Sequence, residues 1–242
     1  FEGYKANRAA MPEDLARQIP LIRKLCKALH LPILEIEGFE ADDIIGTFSQ
    51  RAEQEDLEAV IVSNDKDMFQ LVTEQVRVLH QAKADILFDS AKVEEFFGVP
   101  PSQVVDVLGL MGDSVDNVPG APGIGEKGAK ELIKQFGSID KLLEQPDKVR
   151  RKTYRESLQL HRDQILQSRQ LVTIHTAVPL DWNLAELQSQ TPDISQLTEL
   201  FAELGFQSLL REYESQSAPP DSIPSSFETI RNVSEIREMM KA

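Results

Sequence analysis

The chain has 242 residues, is 41% apolar and 27% charged, and carries a formal net charge of −14. That is enough apolar material for one large domain, or one with a smaller appendage, and no apolar run is long enough to span a bilayer or to act as the core of a secretion signal. The single cysteine, Cys26, cannot close an internal disulfide, which fits a reducing, cytoplasmic setting, and so acidic a balance argues against phosphate contacts unless the acids are gathered to hold cations.

Residues 12–30 predict an amphipathic helix. Pro12 suits a first turn, and Leu15, Ile19, Ile22, Leu25, Cys26 and Leu29 recur at helical spacing, with Cys26 expected in the core. Residues 32–36 read as a short buried strand ended by Gly38, and 40–54 as a helix with Ile44, Ile45, Phe48 and Ala52 inward. An apolar strand over 59–63, a short helix over 68–72, strands over 76–79 and 86–88 and a helix over 90–97 follow. This alternation predicts an α/β fold with a mainly parallel sheet flanked by helices, over residues 1–100. From 101 to 214 the pattern is helical, with helices near 101–111, 125–136, 138–145, 155–170, 194–204 and 207–214, while 171–174 is too short to assign. Residues 215–226 have the composition of a linker, and 227–242 read as the opening of a further domain. The chain begins with Phe1 and has its first methionine at Met11, so it reads as part of a longer protein.

Three acidic clusters sit at element ends: Glu40, Asp42 and Asp43 where a strand meets a helix; Asp65 and Asp67 directly after a strand; and Asp113 and Asp116, spaced i, i+3 behind Gly112. Each alone has a plain explanation as a helix cap, a dipole partner or a polar turn. Together, seven carboxylates with no histidine or cysteine form a hard oxygen donor set that suits Mg²⁺ or Mn²⁺ rather than zinc. Two such ions can activate water and stabilise the leaving oxygen of a phosphodiester.

The run Gly123-Ile124-Gly125-Glu126-Lys127-Gly128 fits G-x-G-x-x-G, but Pro119-Gly120-Ala121-Pro122 before it cannot be a central strand, so it is not a dinucleotide fingerprint. It reads better as a turn between two helices. Gly123 and Gly125 allow close approach of a ligand to the backbone, the following helix N-terminus favours an anion, and Lys127, Lys130 and Lys134 add positive charge. A helix-hairpin-helix grips a DNA backbone in this way without reading sequence. Tyr4, Lys5 and Arg8 open a basic segment that Arg17, Arg23, Lys24 and Lys27 continue.

Gly3-Tyr4-Lys5-Ala6-Asn7-Arg8, Glu40-Ala41-Asp42-Asp43, Asn64-Asp65-Lys66-Asp67, Met111-Gly112-Asp113-Ser114-Val115-Asp116-Asn117 and Pro119-Gly120-Ala121-Pro122-Gly123-Ile124-Gly125-Glu126-Lys127 stand in an order that resembles the flap endonuclease family. The form resembled is the 5′-nuclease domain of bacterial DNA polymerase I, over residues 1–214. The resemblance implies a PIN-like nuclease core followed by a helical DNA-binding part. It implies Glu40, Asp42 and Asp43 as ligands of one metal ion, and Asp65, Asp67, Asp113 and Asp116 as ligands of a second. Lys5 and Arg8 would be cations at the base of a helical arch contacting the scissile phosphate, and Tyr4, Gly123, Gly125, Lys127 and Lys130 would join them in binding flapped, nicked or gapped DNA. The hairpin would also take a K⁺ ion. The family's first strand and a later strand, each bearing a metal-binding Asp, would lie before Phe1, so the chain is expected to bind DNA and to cut weakly. Its far end resembles the start of the proofreading-type domain, with a polymerase module beyond. A non-catalytic DNA-binding module and a PIN-class ribonuclease are the competing expectations.

Overall fold

A computed structural model describes residues 1–83, 85–181 and 183–217. By contact the described residues form two units, one of residues 1–11 with 34–181, the other of residues 12–33 with 183–217. The first helix, α1 (Glu13–Ala28), starts behind Pro12, with Glu13 and Asp14 favoured by the dipole in its first turn and Lys27 in its last.

The strand expected over 32–36 does not form; Leu31, Ile33 and Leu34 are all about half exposed. A short apolar run has no period to mark it, and here Ile36 and Phe39 pack instead on Ile44, Val178 and Leu180. Helix α2 (Ala41–Gln54) is capped by Glu40, with the Asp43 side chain reaching back to the cap backbone. β1 (Ala59–Val62) leads through a 3-10 helix, Lys66–Leu71, to β2 (Val76–His80) and β3 (Ile86–Phe88). The sheet has three strands and is mixed rather than mainly parallel: β1 pairs with β2 in parallel, Ala59 opposite Val76, and β2 with β3 antiparallel, Val78 opposite Phe88. The second pairing is a consequence of the short connection from β2 to β3, since a parallel crossover needs a dozen residues or more.

Helices α3 (Ser90–Phe97), α4 (Val104–Met111), α5 (Glu126–Phe136), α6 (Ile139–Glu144), α7 (Lys152–Leu160) and α8 (Arg162–Val172) complete this unit. The single helix expected over 155–170 is two, broken at His161; Leu158 and Ile165 are seven apart, as in one continuous helix, so the apolar period carried no sign of the break. Met68, Phe69, Val78, Phe88 and Phe97 join Val107, Leu108, Leu110, Ile133, Leu142 and Ile165 in one core. Each such side chain contributes about 1.5–3 kcal/mol on burial, so packing runs without a seam across the position near 100 where the pattern changes from α/β to helical.

In the second unit α1 meets α9 (Ile194–Leu204) and α10 (Gln207–Ser217) around Ala28, Leu197 and Phe201. Cys26 is half-buried rather than a core residue. α10 continues through 215–217, the first residues of the expected linker; the rest of that stretch and residues 227–242 lie outside the described residues.

Candidate active site

Residues 113–117 are shaped by two glycines set back to back. Gly112, at φ +69°, has room for no side chain, since a Cβ would stand 2.5 Å from the Val118 carbonyl oxygen. One on Gly120, at φ +61°, would stand 2.5 Å from the Gly112 nitrogen. Between them Asp113 and Val118 exchange two backbone hydrogen bonds, of 2.9 and 2.7 Å. Asp113 Oδ1 accepts the Val115 N–H at 2.8 Å, so the loop is a side-chain-braced turn rather than a helical one.

The chain's first residues lie against this loop. Lys5 N–H donates to the Asp116 carbonyl at 2.9 Å and Asn117 Nδ2 to the Gly3 carbonyl at 2.6 Å. Arg8 Nε donates to Asp116 Oδ1 at 2.8 Å, and Lys5 pairs with Glu40. Asp65 caps the 3-10 helix by accepting the Asp67 N–H, while Lys66 turns to Asp113 Oδ2 at 2.8 Å. Tyr4, Glu40, Asp42, Asp43, Asp67 and Asp116 line one cleft of about 240 Å³. Asp65 and Asp113 stand close enough that their charges act on the groups within it.

Crowding shows in the titration of these acids. Burial, then the charges of Asp65, Asp113 and Asp42, push the Asp67 carboxyl up to about 7, with Lys66 opposing. Burial and the charges of Asp65 and Glu40 also raise Asp42. Burial would raise Asp113 too, but the hydrogen bonds from Lys66 and Val115 hold it below the usual carboxylate range. Burial would lower Lys66 and Lys5, yet both end up raised, Lys66 by Asp113 and the acids around it, Lys5 by Glu40 and Tyr4.

The carboxylates differ in what they have left to offer. Both oxygens of Asp43 are engaged by backbone, Oδ2 by Glu40 N–H at 3.1 Å and Oδ1 by His175 N–H at 2.9 Å. Asp67 Oδ1 is buried with no hydrogen-bond partner. An all-oxygen set with one orphaned carboxylate oxygen fits a hard divalent cation in donor chemistry. Among the described residues, however, no three acidic, histidine or cysteine side chains converge on one point closely enough to enclose an ion.

The loop between α4 and α5 carries the glycines of the expected hairpin. A Cβ on Gly123 or Gly125 would meet nothing within 4 Å; Gly123 takes φ +79°, while Gly125 has an ordinary φ of −85° and no internal need to be glycine. Lys127 is exposed, whereas Lys130 pairs with Glu126 at 2.6 Å and lies over the Phe97 ring. On α1, in the other unit, Arg17 pairs with Glu13 and Asp14, and Lys24 and Lys27 share a groove with Glu199 and Glu203, so that basic face is locally balanced.

Three features escaped the sequence. Lys66 is the internal partner of Asp113, hidden inside an acidic motif. Residues 170–175, which include the stretch 171–174, too short to assign from sequence, form a wall of the cleft. A basic strip, Lys148, Arg150, Arg151, Lys152 and Arg155, is fastened beside the loop that leads into α5. Arg151 stacks on Tyr154 at 4.2 Å, a Cβ on Gly128 would stand 2.6 Å from the Tyr154 hydroxyl, and Ser157 donates to the Pro122 carbonyl at 2.7 Å. Five cations in eight residues was a visible signal.

Residues 1–98 match the N-terminal resolvase-like domain of 5′-3′ exonucleases, and residues 99–195 match their C-terminal SAM-fold domain. The chain belongs to the 5′-3′ exonuclease family. It is 42% identical over 221 residues to DNA polymerase I of Bacillus caldotenax and 41% identical over 221 residues to that of Bacillus subtilis, covering 90% of this chain and 25% of each relative. The chain thus spans about a quarter of the length of the curated relatives it matches. Among solved structures, T5 5′-exonuclease with bound zinc ions superposes with a TM-score of 0.61 at 22% identity, over 89% of this chain and 76% of that one. The catalytic core of Rad2 in complex with DNA substrate gives 0.57 at 15%, over 87% and 72%. Such likenesses carry the fold.

Proposed function

We propose that this chain is the 5′-nuclease part of a bacterial DNA polymerase I, a cytoplasmic enzyme that hydrolyses phosphodiesters near the 5′ end of flapped, nicked or gapped DNA. The observation that carries the proposal is the gathering of Asp42, Asp65, Asp67 and Asp113, where burial and then the neighbouring charges push Asp67 up to about 7 and leave it an unpartnered buried oxygen. Two Mg²⁺ or Mn²⁺ ions, held by Glu40, Asp42, Asp65, Asp67, Asp113 and Asp116 with Asp43 bracing the backbone beneath them, would supply water activation and charge stabilisation at the phosphate. In this proposal residues 1–100 form the nuclease core, and the open backbone at Gly123 and Gly125 docks duplex DNA with Lys127, Lys130 and the strip 148–155. A K⁺ ion is assigned to the same hairpin. Tyr4, Lys5 and Arg8, anchored on Glu40 and the Asp116 loop, present their cations to the phosphate that reaches the cleft.

Replacing Asp113 and Asp116 together by Asn is expected to abolish cutting of a 5′-flap substrate while duplex binding is kept; unchanged cutting would overturn the assignment. A non-catalytic DNA-binding module is the alternative, favoured by the lack of three converging acids among the described residues. It predicts duplex binding without cleavage in Mn²⁺. A PIN-class ribonuclease would cut an RNA strand in preference to the DNA flap.

A further inference from the structure

The segment 172–178, whose first residues form part of the cleft wall, has almost no regular structure beyond the helix end at Val172, yet it is fixed at three points. Val178 N–H donates to Thr47 Oγ1 at 3.1 Å and His175 N–H to Asp43 Oδ1 at 2.9 Å, both on α2. The third point is the side chain of Gln70, on the 3-10 helix that carries Asp67. Its Nε2 donates to the Val172 carbonyl at 3.0 Å, and its Oε1 accepts the Ile174 N–H at 3.0 Å. The same Nε2 donates to the carbonyl of Asp67 itself at 2.9 Å. A primary amide has two N–H groups and a carbonyl, and here all of them are spent on backbone. No other common side chain of this length donates and accepts at one head group. A glutamate would lose both donors, and a lysine would lose the acceptor.

We infer that Gln70 is a positioning residue: one amide head group fixes the backbone of Asp67 to the wall 172–174 and so sets where the Asp67 carboxylate stands. The inference deepens the proposed nuclease function and rests on Asp67 being a metal ligand. The need for such a brace follows from the surroundings. The charges of Asp65, Asp113 and Asp42 all act on Asp67, and its Oδ1 finds no donor. No hydrogen bond holds that oxygen, so its place depends on the backbone on either side. On one side is the Asp65 cap, accepting the Asp67 N–H at 2.9 Å. On the other is Gln70.

Gln70→Met keeps the length and loses the polar head; Gln70→Glu keeps the acceptor alone. Both variants and the parent 242-residue chain are compared by three measurements. Hydrogen exchange at the Ile174 amide reads the brace, calorimetric titration with Mn²⁺ reads the carboxylate, and kcat and KM on a 5′-flap DNA read the reaction. For Gln70→Met, faster exchange at Ile174 is expected, with Mn²⁺ affinity and kcat each reduced on the order of tenfold or more and KM for DNA within about twofold. Gln70→Glu should keep part of the Ile174 protection and still lose Mn²⁺ affinity, because the donor to the Asp67 carbonyl is gone. Faster exchange with unchanged Mn²⁺ affinity and kcat would make Gln70 a packing residue and overturn the inference, as would unchanged exchange at Ile174. A parent chain that binds Mn²⁺ but cuts no DNA would sink the nuclease proposal and leave the positioning role readable from the Mn²⁺ titration. A parent that binds no Mn²⁺ would sink both.

Discussion

The cleft and the hairpin handle charge in opposite ways. In the cleft, three cations are spent on the protein's own acids, Lys5 on Glu40, Arg8 on Asp116 and Lys66 on Asp113. Around the hairpin, Lys127 and Arg150 stand exposed, and the backbone at Gly123 and Gly125 is open. A net charge of −14 averages over these two regions and describes neither. One gathers negative charge and the other leaves positive charge exposed; under the proposed function bound cations would offset the first and phosphates would meet the second.

Experiments that strike one region and spare the other test this contrast. The largest effect is expected from Asp42→Asn with Asp67→Asn: flap cutting should fall by about a thousandfold or more, while duplex affinity measured by anisotropy stays within about twofold. Gly112→Ala should distort the loop that carries Asp113 and Asp116, costing about 1–3 kcal/mol in a denaturant titration because the new Cβ meets the Val118 carbonyl at 2.5 Å. The mirror image of the first experiment is Lys127→Glu with Arg150→Glu. Duplex affinity should drop about tenfold and the salt dependence should shallow by about two phosphate contacts, with kcat at saturating DNA unchanged.

The smallest effect concerns pH. Asp67 lies at about 7 in the folded chain, above its ordinary 3.8. Without divalent ions, the folded state therefore binds a proton that the unfolded state has lost between those values. Stability contributed by this group is present at low pH and falls as pH rises through that window. Asp67→Asn should remove the fall and stabilise the metal-free chain by about 1–2 kcal/mol at pH 8, with little change near pH 4. Thermal melts in a chelating buffer at the two pH values would check the sign.

The contrast was partly legible in the sequence. Acids at element ends pointed to a cleft because ligands collect where strands and helices terminate, and Asp42, Asp67 and Asp116 do line one. Gly112 was legible as a break because only glycine tolerates its left-handed turn so near another backbone. What stayed hidden has no local signature. Lys66 pairs with Asp113 across 47 positions and Gln70 with Ile174 across 104, and no spacing rule reaches so far. The apolar run 32–36 misled because a strand needs a neighbour as well as a pattern. The basic strip 148–155 was plain in composition, but its relation to the hairpin depends on Tyr154 meeting Gly128.

The seamless core has a consequence for dissection. The two matched family domains divide at residues 98 and 99, but Met68, Phe69 and Phe97 on one side share their burial with Val107, Leu108 and Leu110 on the other. Expressing either half alone would strip water-excluding cover from both, so each is expected to aggregate. The acidic cleft and the glycine loop after α4 thus stand on one shared core, and neither is expected to survive being separated from the other.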